Sequence, residues 1–279
     1  MKFLIVFATL VLTACSQGPV SSPKSDITTL GKIVDLRSGE TLTPQQLLTR
    51  LADQPRVIVG EKHDNPYHHQ IELWLVEQLP KLRPQGSVLM EMITPSQQGK
   101  VDEVKQWLQT EPTVRDSRVA ELTAWQASWK WSLYGDVVMA VMRAPYPLLS
   151  ANLDRSEIMA FYQRPEFPKG QLSVRPEVQQ ALAATIRDSH DGKIDAVQLH
   201  AMLAIQQQRD RRMAESLLAA PTPALLMVGG YHASRTVGVP LHIQDLQPGA
   251  KFTVLMLAEQ GVAIDRPMAD YLWVTPTAK

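Results

Sequence analysis

The 279 residues contain a single cysteine, Cys15. One thiol cannot make an internal disulfide, so the fold must rest on its apolar core. The chain also lacks net charge, with 28 basic and 28 acidic side chains. That balance argues against nucleic acid as the main partner, because neutralising phosphates takes clustered Lys and Arg. Beyond the N-terminal leader no apolar run is long enough to span a bilayer. There is no Gly-x-Ser-x-Gly elbow and no phosphate-cradling P-loop. With the lone Cys15 directly after the leader, a serine or cysteine nucleophile has little support. What remains is a chain that is 44% apolar, ample for one large domain with or without a satellite.

The first residues read as a targeting segment. Lys2 supplies the positive charge and residues 3–12 the apolar stretch. The segment ends Leu12-Thr13-Ala14-Cys15, the pattern of a bacterial lipoprotein cleavage box, which makes residues 1–14 the signal peptide and Cys15 the acylated first residue. Several acyl chains on one terminus anchor stably where a single chain does not. Ser16, where an aspartate would signal inner-membrane retention, points to the outer membrane. Residues 15–26, rich in Ser and Pro, read as a tether, and residues 27–279 as the folded domain.

One stretch organises that domain. Val57, Ile58 and Val59 form a short β-branched run that reads as a buried strand and stops at Gly60. Glu61 and His63 follow at once, and then a helix start: Asp64 or Asn65 as cap, Pro66 at the first position. A carboxylate and an imidazole in the turn after a buried strand sit where open α/β sheets bind ligands. On the helix, His68 lies in line with Ile71, Leu75 and Leu79, so a polar partner is expected for it. His69 falls off that stripe and is expected to face solvent or a partner.

Three more apolar strands end the same way. Residues 87–90 lead to Glu91, residues 148–151 to Asn152, and residues 224–228 to Gly229, Gly230, Tyr231 and His232. Alternation with helices implies a largely parallel sheet, whose carboxyl ends share one rim. The paired glycines before His232 allow close approach of backbone and ligand. Further strands are expected near 252–257 and 271–274, and helices at 101–108 and 136–143. Residues 154–220 hold no strand and read as a small helical subdomain over the carboxyl ends of the strands. Its long helix, capped by Asp195, carries Leu199, Leu203, Gln206, Asp210, Met213 and Leu217 in one stripe. A carboxylate on that face requires hydrogen bonds or an ion pair, for which Arg209 or Arg211 turned inward would serve.

Glu61, His63, Glu91 and His232 suit a divalent metal ion such as zinc, with Glu61, His63 and His232 as its core ligands. Equally they suit metal-free acid–base work. The metal reading makes the chain a divalent-metal-dependent hydrolase.

Taken together, Gly60-Glu61-Lys62-His63-Asp64-Asn65 with His68-His69, Gln206-x-x-Arg209-Asp210 with Met213-Ala214, and Gly229-Gly230-Tyr231-His232 with Gly238-Val239-Pro240 closely resemble the signature of the ChaN-type haem-binding lipoproteins. The match runs from about residue 33 to 274. The resemblance implies an α/β domain with a small helical domain, and a bacterial surface lipoprotein that binds haem for iron acquisition. It implies haem held between two subunits, hence a homodimer, with a tyrosine on the iron, and an outer-membrane haem or iron transporter as partner. Tyr162, beside Phe161 and near Arg164, is the first choice for that ligand and Tyr231 the second. His190 and Lys193 are candidate propionate contacts. Met90, Met92, Met139, Met142 and Met159 would give an adaptable haem lining, with core filling as the alternative. The wider superfamily, TIKI proteases and erythromycin-esterase-like enzymes, uses a similar Gly-Glu-x-His turn for hydrolysis, which keeps the hydrolase alternative in view.

Overall fold

A computed structural model describes residues 26–278 apart from Pro112. The leader, Cys15 and nearly all of the tether lie outside the described residues. The described residues open with a 3-10 turn, Ile27–Thr29, and a two-stranded antiparallel piece, β1 (Lys32–Asp35) and β2 (Thr41–Leu42), turned at Gly39 with φ +80°. Then follow α1 (Pro44–Ala52), β3 (Arg56–Glu61), α2 (Pro66–Leu82), β4 (Ser87–Met90), α3 (Pro95–Leu108), α4 (Asp116–Leu122), α5 (Trp131–Arg143) and β5 (Leu148–Ser150). Three helices come next, α6 (Arg155–Gln163), α7 (Pro176–Ser189) and α8 (Ala196–Ala219). The chain ends with β6 (Ala224–Gly229), α9 (Gly230–Ala233), α10 (Val239–Leu246), β7 (Thr253–Glu259) and β8 (Tyr271–Thr275).

Helix starts follow the local chemistry. Thr43 Oγ1 accepts from the Gln46 N–H at 3.2 Å while the Gln46 side chain accepts from the Thr43 N–H at 2.8 Å, a reciprocal cap that satisfies two otherwise orphaned donors. Of the two candidates for α2, Asn65 is the cap, accepting from the Tyr67 N–H at 2.8 Å. Asp64 is exposed and lies 3.2 Å from the Lys62 ammonium. Two helices run longer than the periodicity predicts, because Pro95 and Trp131 begin them a turn or more earlier.

The eight strands form one sheet in the order β2-β1-β8-β7-β3-β6-β4-β5. The six from β8 to β5 are parallel, and only β1 and β2 run against their neighbours. Alternate residues of each strand serve opposite faces. Val57, Val59, Val88, Met90, Leu225 and Met227 pack under α1 to α5. Ile58, Leu89, Leu226, Val228 and Met256 pack under α8, α9 and α10, against Met213, Leu217, Ala233 and Ile243. The result is a three-layer α/β/α domain.

α8 runs opposite to the strands. Arg56, at the start of β3, donates to the Leu217 carbonyl at 3.3 Å, while Asp210 reaches His232 beyond the end of β6. Residues 196–209 therefore project past the carboxyl edge of the sheet, by roughly 20 Å at helical rise. α6 and α7 pack on this projecting helix, and Val178, Leu182 and Leu203 make a small apolar cluster of their own.

Asn65 does more than cap α2. It is fully buried, and its amide donates to Glu259 at 2.9 Å and to the Pro276 carbonyl at 3.1 Å. Asn65→Ala should cost about 2–3 kcal/mol in urea unfolding, the loss of a cap plus a buried charged acceptor left short of a donor. A loss below about 0.5 kcal/mol would show that the cap and its bond to Glu259 carry little.

Candidate functional site

Strand order creates the site. β6 enters the sheet between β3 and β4, so the turn after it lies between those carrying Glu61 and Glu91. Gly229 lets the His63 ring come close: a Cβ there would sit 2.8 Å from His63 Nε2. Its N–H donates to Glu91 Oε2 at 2.8 Å. Glu91 Oε1 lies 3.4 Å from His232 Nε2, and Glu91 Oε2 lies 3.9 Å from His63 Nε2. Beyond His232, Nδ1 meets Asp210 Oδ1 at 2.6 Å, with the Gln206 amide 3.1 Å from the same nitrogen. Beyond His63, Nδ1 meets Glu61 Oε1 at 2.8 Å. Glu61 Oε1 also accepts from the Tyr134 hydroxyl at 2.6 Å. Behind Glu61 stand His69, with Nδ1 3.3 Å from Glu61 Oε2, and Glu72, with Oε2 3.0 Å from the same nitrogen.

Carboxylates and imidazoles thus alternate in a line from Asp210 to Glu72. All its members are buried except His63 and Gln206, and the His63 side chain is 38% exposed with its ring edge-on to Trp129 at 4.9 Å. Burial opposes charge on His232, but Glu91 and Asp210 on either side outweigh it and push its pKa up to about 10. Burial would raise Glu91; the charge and hydrogen bond of His232, then His63 and the Gly229 N–H, bring it down to about 2. Burial raises Asp210 to about 6 although His232 pulls the other way. For His63 and His69 burial again disfavours the charged ring, and the neighbouring glutamates overcome it: His63 is raised, and His69 reaches about 9. Burial and the nearby Glu61 push Glu72 up to about 7. Tyr134 is held well above the ordinary phenol value by burial and by Glu61.

Glu61, His63, Glu91, Asp210 and His232, all singled out in the sequence, therefore come together, with Gln206 at one end. Arg209 and Arg211 are not the partners of Asp210; His232 is. Asn152 supports the line from outside, its amide donating to the Glu91 carbonyl at 2.9 Å. His68 is not in it. Its Nδ1 accepts from the Lys62 N–H at 2.8 Å and its Nε2 donates to Thr275 at 2.9 Å, and burial holds it neutral, with a pKa near 3. It is a peg between the β3 turn and the end of β8.

His69 corrects the expectation of a solvent-facing role: it is 4% exposed and sits inside the cluster. α2 lies between α1 and α5 as well as on the sheet, so it buries far more than one stripe. Tyr134 and Glu72 were not anticipated. The spacing of His69 and Glu72, three apart on one helix, was the available sign for Glu72. For Tyr134, brought in by α5, there was none.

The residues proposed for haem lie elsewhere. Tyr162 on α6 is 42% exposed and Tyr231 on α9 is 60% exposed. Lys193 is exposed and His190 half-buried in the turn between α7 and α8, where His190 Nδ1 bonds the Ile186 carbonyl at 2.7 Å. Met90, Met92, Met139 and Met142 fill the core, and Met159 alone is exposed.

Residues 47–243 match the family model for haem-binding uptake proteins of the Tiki superfamily, ChaN. The chain belongs to the ChaN family. Among solved structures it is similar to ChaN of Campylobacter jejuni, described as binding haem cofacially, with 28% identity, 89% of this chain and 98% of that chain covered, and a TM-score of 0.82. Weaker matches are an erythromycin esterase, EreC, at 12% identity (89% and 83% covered, TM-score 0.47), and the type III effector HopBA1 at 12% identity (83% and 92% covered, TM-score 0.46). No curated protein matches the chain.

Because His232 titrates in the folded protein near 10, above its ordinary value, its contribution to stability is full below about pH 6.5 and is lost as pH rises toward 10. Urea unfolding between pH 6.5 and 10 should lose on the order of a few kcal/mol. In His232→Gln that alkaline decline should be clearly shallower. An identical slope would show that His232 is neutral in the fold.

Proposed function

We propose that this chain is a haem-binding outer-membrane lipoprotein, anchored through acylated Cys15, that takes part in haem or iron acquisition and passes its cargo toward an outer-membrane transporter. Membership of the ChaN family and the cofacial haem of the C. jejuni relative support haem as the ligand. The observation on this chain that carries the reading is α6. Residues 158–162 of this helix are Ile, Met, Ala, Phe and Tyr, and not one is buried. Met159 and Tyr162, three apart and so on one face, are 45% and 42% exposed.

Haem asks for a flat apolar face, an iron ligand and a cation for its propionates. The α6 surface fits: Met159 and Ala160 offer apolar contact, the Tyr162 phenol an oxygen ligand, and Arg164, exposed at the end of the helix, a propionate partner. Bound haem supplies the iron, and the protein's part is to hold it through Tyr162 and shield one face. A surface of this kind covers only one face of a porphyrin. Two copies of α6 facing each other would cover both, which favours a homodimer on haem binding. Tyr231 stands alone on its short helix and is the second choice for the ligand. The hydrolase alternative is no better supported: His63 Nδ1 is engaged by Glu61 and His232 Nδ1 by Asp210.

Titrating the full chain with ferric haem should give a saturable high-spin spectrum, and Tyr162→Phe should weaken binding at least about tenfold, on the order of one lost strong ligand interaction. Loss in Tyr231→Phe instead would move the ligand to α9. An unperturbed free-haem spectrum would refute the reading.

A further inference from the structure

Among the described residues, the donor atoms of Glu61, His69 and Glu72 all lie within 4.8 Å of one another. The hydrogen bonds around them decide what the gap requires. His69 Nε2 lies 3.0 Å from the His63 carbonyl. A carbonyl only accepts, so Nε2 carries the ring proton and donates it there. In the neutral ring Nδ1 is then a bare lone pair. It faces Glu72 Oε2 at 3.0 Å and Glu61 Oε2 at 3.3 Å. Three acceptors aimed at one point repel unless a cation lies between them. A proton on Nδ1 answers only part of this. It serves Glu72 Oε2, and leaves Glu61 Oε2 and Glu72 Oε1 buried without a hydrogen-bond partner. Such orphaned buried acceptors are costly.

We propose that Glu61, His69 and Glu72 form a binding site for one divalent transition-metal ion, held by His69 Nδ1 and one or more oxygens of each carboxylate. The ion sits below the His63–Glu91–His232 line rather than on it. Separations of 3.0 and 3.3 Å between donors match the edges of a coordination shell with bonds of about 2.0–2.2 Å. Charge balances as well: two carboxylates, a neutral imidazole and a divalent ion sum to zero, which suits a site this deeply buried. An imidazole with two carboxylates suits zinc or manganese; calcium and magnesium favour all-oxygen shells.

Surrounding groups already hold the ligands. The His63 carbonyl fixes the His69 tautomer with Nδ1 inward. Tyr134, at 2.6 Å, and His63, at 2.8 Å, both engage Glu61 Oε1, which turns Oε2 toward His69. Outer partners of this kind orient metal ligands and raise their basicity. His63, partly exposed at the rim, marks the side from which an ion would enter. The site is independent of haem, and its test uses haem-free protein.

The full chain, stripped with a chelator, would be titrated by calorimetry with zinc chloride and separately with manganese chloride. Two buffers of different ionisation heat would be used. The expected result is one ion per chain with release of between one and two protons near neutral pH, since Nδ1 must be bare and Glu72 ionised to bind. In Glu72→Gln and in His69→Asn zinc affinity should fall about 100-fold or more. X-ray absorption at the zinc edge of the unmutated chain provides a measurement free of folding effects, and should show a single imidazole among oxygen ligands. Two or more imidazoles would place the ion on His63 and His232 and overturn the assignment. So would zinc that survives Glu72→Gln but is lost in His232→Asn, and so would no saturable binding of either ion up to about 1 mM, which is only about 4 kcal/mol of affinity.

Discussion

Four carboxylates buried at the edge of one sheet are the constraint to which the domain answers. Glu61, Glu72, Glu91 and Asp210 are all almost fully inaccessible, and an isolated charge of that kind would cost several kcal/mol. The chain meets this by alternation. His232 stands between Asp210 and Glu91, His63 between Glu91 and Glu61, and His69 between Glu61 and Glu72. Backbone helps where side chains run out: the Gly229 N–H, at 2.8 Å, is a fixed dipole on Glu91. Neighbouring links share partners, so the line behaves as one network and not as separate pairs.

Alternation of this kind requires a particular topology. Had β6 paired at the outside of β4, His232 would stand two strands away from Glu61 and the line would be broken. Insertion of β6 between β3 and β4 brings the three turns side by side, and Gly229 removes the side chain that would otherwise occupy the His63 ring. α8 completes the arrangement because it runs against the strands. Its last turns pack on the sheet through Met213 and Leu217, and one turn earlier Asp210 falls level with His232. The same helix is thus core at one end and the support of α6 and α7 at the other.

Much of this was legible because it is local. A β-branched run followed by Gly60, Glu61 and His63 specifies a buried strand and a polar turn whatever the rest of the chain does. The Asn65-Pro66 cap and the Asp210 stripe are of the same kind. Strand order is not local, and it alone tells that Glu91 receives both histidines. The single apolar stripe of α2 does not predict the burial of His69, because α2 is packed on the sheet and between two helices and has room for solvent on only a narrow face. Tyr134 had no sequence signal, since a tyrosine amid the apolar residues of α5 reads as core until the neighbour of its hydroxyl is known. Glu72 could have been paired with His69 by spacing, but nothing in the sequence places Glu61 behind them.

The line at the rim also explains why an exposed apolar helix can be held in a defined place. α6 packs chiefly on α8. At its start Glu157 accepts from the Asp154 N–H at 2.8 Å, and Glu157 in turn pairs with Arg212 at 2.6 Å. Arg212 lies only two residues after Asp210. The buried bond from Asp210 to His232 therefore fixes α8, and α8 fixes the start of α6. That ion pair is partly exposed and is worth at most about 1 kcal/mol, and Ile158 and Phe161 are only half-buried. Among the described residues, no element covers the outward face of α6 at Met159 and Tyr162. A helix positioned at its base by a buried charge network and left uncovered on its apolar side by the described residues gains most from a ligand that is itself flat and apolar.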